Sequence, residues 1–264
     1  IYASGFAIIY MLHFIIATKQ PAMTAATLAD SISQTRGRLR EIEKIVDLIV
    51  DTCRSQLAAI AGNIGIAFPL AIFISIAFDT HIGAHIVGSE KALHLLSDLD
   101  PFNSLALFYA AIAGVWLFVT GLVSGYFDNR AAYAQINLRI AQLPWLRACI
   151  GQRGAKATGE YIANHAGGLG GNIFFGLMLG LTPLLGGILG LPLDIRHIAF
   201  SSANLGYALT SLNFDMPFTV LLTSVCGVLL VGFINLGVSF ALALWVAMRS
   251  RKVSMQMLAP VLPR

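Results

Sequence analysis

The sequence predicts an all-α protein: a polytopic transmembrane helical bundle with tandem parallel repeats of a helical hairpin and amphipathic cytoplasmic helices. The first observation is composition, because the 264 residues are 57% hydrophobic and only 11% charged, whereas a soluble domain carries roughly 25% charged residues. The second is a set of long stretches without charge, and the third is an alternation of basic charge between them. A soluble core does not need this much apolar sequence, because its surface must stay polar.

Each charge-free stretch is long enough to cross a bilayer, whose hydrocarbon core of ~30 Å requires about 20 helical residues. The predicted spans are about 1–18, 55–78, 101–127, 168–192 and 217–248. The charge-free stretches that contain the last two spans exceed one crossing, which predicts tilt, a kink or an interfacial extension. The chain opens on Ile1 within a hydrophobic run, which predicts a piece of a longer protein.

Basic residues in the connecting segments predict the orientation. The segments 19–54, 79–100, 128–160, 194–215 and the tail carry six, one, five, one and four Lys or Arg residues. Cytoplasmic loops collect positive charge, so this alternation places Ile1 outside and the C-terminus in the cytoplasm. We therefore predict a multi-pass protein of the bacterial inner (cytoplasmic) membrane.

Two cytoplasmic segments are predicted to be amphipathic helices. Apolar residues from Leu28 to Ile49 recur at helical spacing with Arg and Glu between them, and Ala131 to Leu143 has a similar pattern that stops at Pro144. Their apolar faces suit the inner leaflet, where basic side chains meet anionic lipid. They suit packing against other cytoplasmic helices equally well.

An internal repeat relates two parts of the chain. At an offset of 116 residues, segment 81–102 aligns with segment 197–218 with seven identities in 22 positions. The identical pairs are His81/His197, Ile82/Ile198, Ala92/Ala208, Leu93/Leu209, Leu96/Leu212, Pro101/Pro217 and Phe102/Phe218.

The repeat predicts two hairpin units, at about 55–127 and 165–248, within a single transmembrane domain. Each unit has two spans, so both keep the same orientation, as in parallel repeats about an axis along the membrane normal. Residues 195–212 are apolar, but their counterpart 79–98 is too polar to cross a bilayer. Both are therefore predicted to be interfacial segments on the outer side.

Glycine is concentrated in the span 168–192, where pairs such as Gly176/Gly180 and Gly186/Gly190 are four residues apart. Small residues at this spacing let helices approach closely, which favours a tightly packed central span. The alternative is a broken helix whose exposed backbone binds a substrate.

The candidate binding residues inside the predicted spans are Asn63, Asn172 and Asn235. Hydrogen bonding between helices is the ordinary role of such residues, and ligand binding is the functional alternative. No Asp, Glu, Lys or Arg lies inside any predicted span, which is evidence against ion-coupled transport. Outside the spans, His81 and His85 at i, i+4 are weak candidates for a zinc site. No catalytic residue and no cofactor is predicted.

Three motifs resemble one bacterial membrane protein family. They are Gly125 through Tyr133 (GYFDNRAAY), His165 through Gly180 (HAGGLGGNIFFGLMLG) and Asp194 through Asn204 (DIRHIAFSSAN). The family is labelled "site-specific recombinase", after a gonococcal recombinase-like protein. The resemblance covers nearly all of the chain and implies the membrane-embedded C-terminal part of a longer protein. It implies no particular active-site residue.

The label makes a chemical prediction that the sequence does not match. DNA strand exchange requires a nucleophilic Ser or Tyr, Arg groups that converge on one phosphate, and a basic surface for the duplex. Tyr133 and Tyr161 lie near cytoplasmic Arg residues, but no convergent Arg-His-Arg pattern surrounds them. The sequence therefore favours a non-enzymatic inner-membrane protein of unknown function in transport, lipid handling or scaffolding. The alternative is a site-specific DNA recombinase or a DNA-associated membrane factor.

The partners that this interpretation predicts are membrane lipids, together with a second copy of the chain or another membrane protein. Nucleic acid is not an expected partner, because the Arg residues are spread over three cytoplasmic segments and form no duplex-binding surface.

Overall fold

The computed structural model describes residue 4, residues 20–34 and residues 39–251. Over these ranges the chain forms helices and no strand. They are α1 (Gln20–Gln34), α2 (Leu39–Ile82), α3 (Ser89–Ser97), α4 (Ala106–Tyr133), α5 (Ile136–Ala141), α6 (Pro144–Leu189), α7 (Ile198–Ser211) and α8 (Phe218–Ser250). The predicted all-α helical bundle is confirmed, whereas the tandem repeat stays a prediction.

Four of these helices are long and apolar enough to cross a membrane: Val46–Ile82, Ala106–Tyr133, Pro144–Leu189 and Phe218–Ser250. They overlap four predicted spans, and the predicted span 1–18 lies outside the described residues. Large apolar side chains stand exposed along all four helices, for example Phe73, Leu122, Leu184 and Phe233. An apolar surface of this extent is what a protein presents to lipid.

Helix α4 packs against both α6 and α8, and small residues form these contacts. Gly114 of α4 lies so close to α8 that a Cβ there would be 2.9 Å from the carbonyl oxygen of Asn235. Gly167 and Gly171 of α6 lie equally close to Ser124 of α4. Within the predicted glycine-rich span 168–192, Gly171 therefore has the predicted packing role, and Gly167 just before that span has the same role.

The two ends of the bundle are distinguished by the short helices. At the α3 end, α2 and α6 terminate and α4 and α8 begin; at the α5 end, α4 terminates and α6 begins. Leu48 of α2 lies near Phe240 and Leu244 of α8, and Ile60 lies near Gly232, so α2 runs antiparallel to α8.

The helices that contain the two predicted amphipathic segments have other bounds than the sequence pattern predicts. Helix α1 packs its apolar face, including Leu28 and Ile32, against α2 and α8, and Asp30 pairs with Arg251 at 3.5 Å. These contacts support the helix-packing alternative for the part of the segment that lies in α1. The segment after Asn129 is not one helix, because α4 continues to Tyr133 and Gln135 adopts a left-handed φ of 49° before α5 begins.

Candidate functional site: a re-entrant segment at mid-span

The chain turns back on itself after α6. Gly190 ends the helix with φ 65°, a conformation that glycine adopts without strain, and residues 191–197 are not helical. Leu193 lies against Gly186, Ile195 packs with Leu179, and the ring of His197 lies 5.3 Å from that of Phe175. Residues 191–197 therefore run antiparallel to α6, from its end towards its middle.

Helix α7 then returns beside α2 in the same direction as α2. Ile198 packs near Ile60, a Cβ at Gly206 would lie 2.9 Å from the carbonyl oxygen of Phe68, and Thr210 Oγ1 donates to Ser75 Oγ at 2.7 Å. These contacts fall inside the candidate span Val46–Ile82. Residues 190–217 thus form a re-entrant segment, which enters the bundle from the α3 end and returns to it.

This geometry differs from the prediction that residues 195–212 are interfacial. Most of α7 is buried, including Ser201, Ser202, Gly206 and Ala208. These side chains are small, so α7 fits closely against α2. The apolar character of the segment reflects burial in protein and not contact with the membrane surface.

Asn235 of α8 fixes the start of α7. Its Oδ1 accepts a hydrogen bond from the Ile198 N–H at 3.0 Å, and its Nδ2 donates to the carbonyl oxygens of Ala110 and Arg196, both at 2.9 Å. The side chain is fully buried. One amide therefore links α4, α7, α8 and the non-helical residues, and it satisfies two backbone groups that no helix can satisfy, the Ile198 N–H and the Arg196 carbonyl oxygen.

A small cavity with a mostly apolar lining, the mid-span pocket, lies beside this junction. It has room for one water molecule, and it is lined by Ala59, Asn63, Leu117, His197, Ile198, Asn235 and Leu236. Asn63, Leu117 and Asn235 lie near the middle of their candidate spans. His197 accepts a hydrogen bond from the Ala199 N–H through Nδ1, so its ring is neutral and carries its proton on Nε2. The pocket therefore contains three polar side chains, those of Asn63, His197 and Asn235, and no charged one.

The charged groups of the re-entrant segment form a cluster at its entrance. Arg196 pairs with Asp98 (Nη2 to Oδ2, 3.2 Å) and with Asp194, and its guanidinium lies 5.5 Å from the centre of the Tyr109 ring. His94 completes the cluster, with Nδ1 3.2 Å from Asp98 Oδ2. The cluster ties residues 194–196 to the segment that follows α3, and it keeps these charges paired where they are half-buried.

The structure separates the three predicted asparagine candidates. Asn63 and Asn235 line the mid-span pocket, whereas Asn172 is fully buried in α6 outside it. Asn63 and Asn172 each donate to the carbonyl oxygen four residues earlier in their own helix, at 2.8 Å. Whether any of them binds a ligand stays a prediction.

The zinc candidates lose the helical spacing on which they relied. Helix α2 ends at Ile82, and Gly83 adopts φ 71°, so His81 lies in the last helical turn and His85 in the following loop. His85 lies near Asp79, with 3.8 Å between Nδ1 and Oδ1. Over the described residues, no three His, Cys, Asp or Glu side chains are grouped to hold a metal ion.

Sequence reasoning missed His197 and residues 190–197 as parts of the site. The available signals were Gly190-Leu191-Pro192, which combines a left-handed helix end with a following proline, and the charges of Asp194 and Arg196 beside an apolar stretch. The identity of His197 with His81 in the repeat did not help, because His81 is exposed and His197 is buried.

Comparison with known proteins places the chain in a family. A sequence model described as "Site-specific recombinase" matches residues 1–263. The chain belongs to the site-specific recombinase family. No curated protein and no solved structure gave a significant match.

The three family motifs have structural roles in this member of the site-specific recombinase family. The motif at 125–133 packs on the motif at 165–180, where Asp128 Oδ1 accepts from the Gly167 N–H at 2.8 Å and Phe127 contacts Gly170. The motif at 194–204 forms the non-helical turn and the first half of α7. The motifs therefore build the α4–α6 interface and the re-entrant segment, and they do not assemble a nucleophile with converging Arg residues.

Proposed function

We propose that this chain acts in membrane transport and passes a small uncharged polar solute by way of the mid-span pocket. The observation that carries the proposal is the re-entrant segment, whose non-helical backbone reaches the level of Asn63 and Asn235. Non-helical backbone at membrane depth is tolerated where it is buried in protein or lines a cavity. Transporters place substrate sites at such broken helices near the bilayer midplane.

The residues that line the pocket support the proposal that the solute carries no charge. Its polar groups are two amides and a neutral imidazole, and Asn235 already caps the Ile198 N–H. An anion would therefore find the start of α7 occupied, and a cation would find no carboxylate in the lining. A pocket of this size is too small for a lipid.

Asn63→Leu tests the proposal. Proteoliposomes with the wild-type protein should shrink in hyperosmotic sucrose faster than empty liposomes, because the pocket has room for water, measured by stopped-flow light scattering. Leucine keeps the volume but removes the amide, so we expect the protein-dependent rate to fall at least fivefold. Asn164→Leu replaces an exposed asparagine of α6 and should leave the rate unchanged. No protein-dependent flux of water, glycerol, urea or ions would end the transport proposal.

A second candidate follows from the family description, which names a DNA reaction. Tyr133 is 89% exposed, and the Tyr161 ring stacks on that of His165 with 4.2 Å between centroids. Over the described residues, the Arg side chains that lie over an aromatic ring contact Tyr109 and Trp245 and neither of these two tyrosines, which makes a DNA nucleophile unfavourable here.

Supercoiled-plasmid cleavage at low salt tests that candidate, with Tyr133→Phe and Tyr161→Phe beside the wild type. We expect no cleavage from any of the three. Cleavage by the wild type that one of these substitutions abolishes would establish the DNA reaction instead.

A further inference from the structure

The connection between α4 and α6 exposes large apolar residues together with basic ones. We name residues 130–156 the basic connection; they comprise the last turn of α4, helix α5 and the start of α6. Its large apolar residues that are 49–89% exposed are Tyr133, Leu138, Trp145 and Ile150. Its basic residues are all exposed, and they are Arg130, Arg139, Arg147, Arg153 and Lys156. Exposed apolar groups with a polar rim mark sites where a protein meets a partner or a membrane.

The basic connection is folded against α6. A Cβ at Gly159 of α6 would collide with the Asn137 carbonyl oxygen of α5, so the two backbones are in close contact. Arg147 Nε donates to the Ala141 carbonyl oxygen at 2.6 Å and links the start of α6 to the end of α5. Gly151 leaves the helical conformation with φ 71° and ψ 172°, so the first two turns of α6 bend away from the axis of its remainder. These contacts hold the exposed residues on one folded structure.

The basic connection begins where the charge-free part of the bundle ends. Asp128 of α4 and Glu160 of α6 are the first Asp, Glu, Lys or Arg residues that the two candidate spans reach at this end. The exposed rings of Tyr126 and Tyr161 lie beside them in the chain. Tyrosine and tryptophan concentrate at the level of the lipid headgroups. In a bundle that spans a bilayer, the basic connection therefore lies at the headgroup layer, and its apolar surface continues that of α4 and α6.

Most of the basic side chains in this connection have no acidic partner. Five basic and two acidic residues between positions 128 and 160 leave a net charge of +3. Over the described residues, Lys156 lies 3.9 Å from Glu160, whereas Arg130, Arg139 and Arg153 make no ion pair. A guanidinium group binds a phosphate through two parallel hydrogen bonds. These arginines are therefore suited to the phosphate of an anionic headgroup.

The end of α8 repeats the combination of an aromatic ring and a cation on the same side of the bundle. Successive contacts show that α8 runs parallel to α4: Ala110 with Asn235, and then Gly114 with Val238. Trp245 near the end of α8 is 59% exposed, and the Arg249 guanidinium lies 5.7 Å from the centre of its ring. This pairing at a second helix supports a headgroup layer at this end.

We propose that the basic connection binds the headgroups of anionic phospholipids in the adjacent leaflet. Its free arginines pair with the phosphates, and Trp145 and its other exposed apolar residues contact the upper part of the lipid layer. A DNA duplex would use the charges but would leave these apolar residues in water. An acidic protein would cover both, but it would not account for the continuity with the lipid-facing surface of α4 and α6. Lipid binding here does not depend on transport through the mid-span pocket.

Quenching of tryptophan fluorescence by brominated lipids tests which lipids contact Trp145. The full chain is reconstituted in phosphatidylcholine vesicles with a small share of brominated phosphatidylglycerol or, in parallel, of brominated phosphatidylcholine. The difference between the wild type and Trp145→Phe isolates this side chain, because Trp116 and Trp245 stay in place. At low salt we expect the anionic lipid to quench Trp145 at least threefold more strongly, since each basic residue near an anionic surface strengthens binding about fivefold before screening.

The double variant Arg139→Gln, Arg153→Gln assigns this preference to the free arginines. It should reduce the preference for brominated phosphatidylglycerol to less than half of the wild-type value. Lys91→Gln removes an exposed basic residue at the α3 end and should leave the preference unchanged. Added salt should weaken the preference of the wild type as well, which tests the role of charge without any substitution in the basic connection.

Two results would overturn the proposal. Equal quenching of Trp145 by the two brominated lipids would show contact with the membrane but no selection of anionic headgroups. Absence of quenching by either lipid would place the basic connection away from the bilayer. A shift of the Trp145 emission on addition of a short DNA duplex or of polyglutamate would then assign this surface to a nucleic acid or to an acidic protein.

Discussion

Asn235→Ala should destabilise the folded protein by about 3 kcal/mol, because two buried backbone groups, the Ile198 N–H and the Arg196 carbonyl oxygen, lose their side-chain partner. The Ala110 carbonyl oxygen lies within α4 and loses only a second hydrogen bond. Each unsatisfied buried group costs ~1–3 kcal/mol, and hydrogen bonds between membrane helices average nearer 0.6 kcal/mol, so the sum lies at the lower end. Unfolding in mixed micelles with increasing SDS, followed by tryptophan fluorescence, measures the change.

Asn63→Ala is the matched control for this variant. Asn63 lines the same pocket, but it is only half-buried and its amide donates within its own helix. We expect a loss below about 1 kcal/mol, since one local hydrogen bond is removed. Equal effects of the two substitutions would contradict the role of Asn235 as the junction of four segments.

Gly227→Ala should be the second most damaging single substitution, with a loss of about 2–3 kcal/mol from overpacking. A Cβ at Gly227 would lie 1.8 Å from the carbonyl oxygen of Leu99 and 3.4 Å from Pro101 Cδ. These are atoms of the chain that leads from α3 into α4, and backbone cannot move aside as a flexible side chain can. Helix α8 and this loop must therefore separate, which also disturbs the buried side chain of Leu99.

Gly237→Ala on the same helix provides the control. No atom lies within 4 Å of its added Cβ, and alanine is about 1 kcal/mol better than glycine within a helix. The unfolding midpoint should therefore rise for Gly237→Ala and fall for Gly227→Ala. The same direction of change in both would show that the α3–α4 loop does not press against α8.

Four long apolar helices were predictable from sequence, because stretches of sufficient length without charge locate them. The charge-free stretches that end at Asp79 and Arg249 correspond to helices that end at Ile82 and Ser250. Helix ends that local backbone conformation determines were predicted less accurately. The predicted span 101–127 begins at Ala106 in the structure, because residues 101–105 form turns before α4.

The re-entrant segment was not predictable from hydropathy, because burial in protein and burial in lipid select the same apolar residues. Residues 198–211 are apolar in both interpretations, and what distinguishes them is a face with Gly206 and Thr210 that fits α2. The internal repeat did not help with this segment, because it led us to predict for residues 195–212 the interfacial environment of their polar counterpart, residues 79–98. Similarly, Asn63 and Asn235 were candidate residues because they are polar residues inside predicted spans, but only the fold brings them to one pocket with His197.

Disulfide cross-linking of Ser75→Cys with Thr210→Cys most directly tests whether α7 lies inside the bundle. With Cys53, Cys149 and Cys226 replaced by serine, this pair should oxidise rapidly in membranes, because the native hydroxyl oxygens are 2.7 Å apart. Ser75→Cys with Ser201→Cys is the control. Ser201 lies nine residues before Thr210 on α7, about 13 Å along the axis, so this pair should stay reduced. A re-entrant α7 requires cross-linking of the first pair alone. Failure of the first pair to cross-link would contradict the re-entrant segment and restore an interfacial α7.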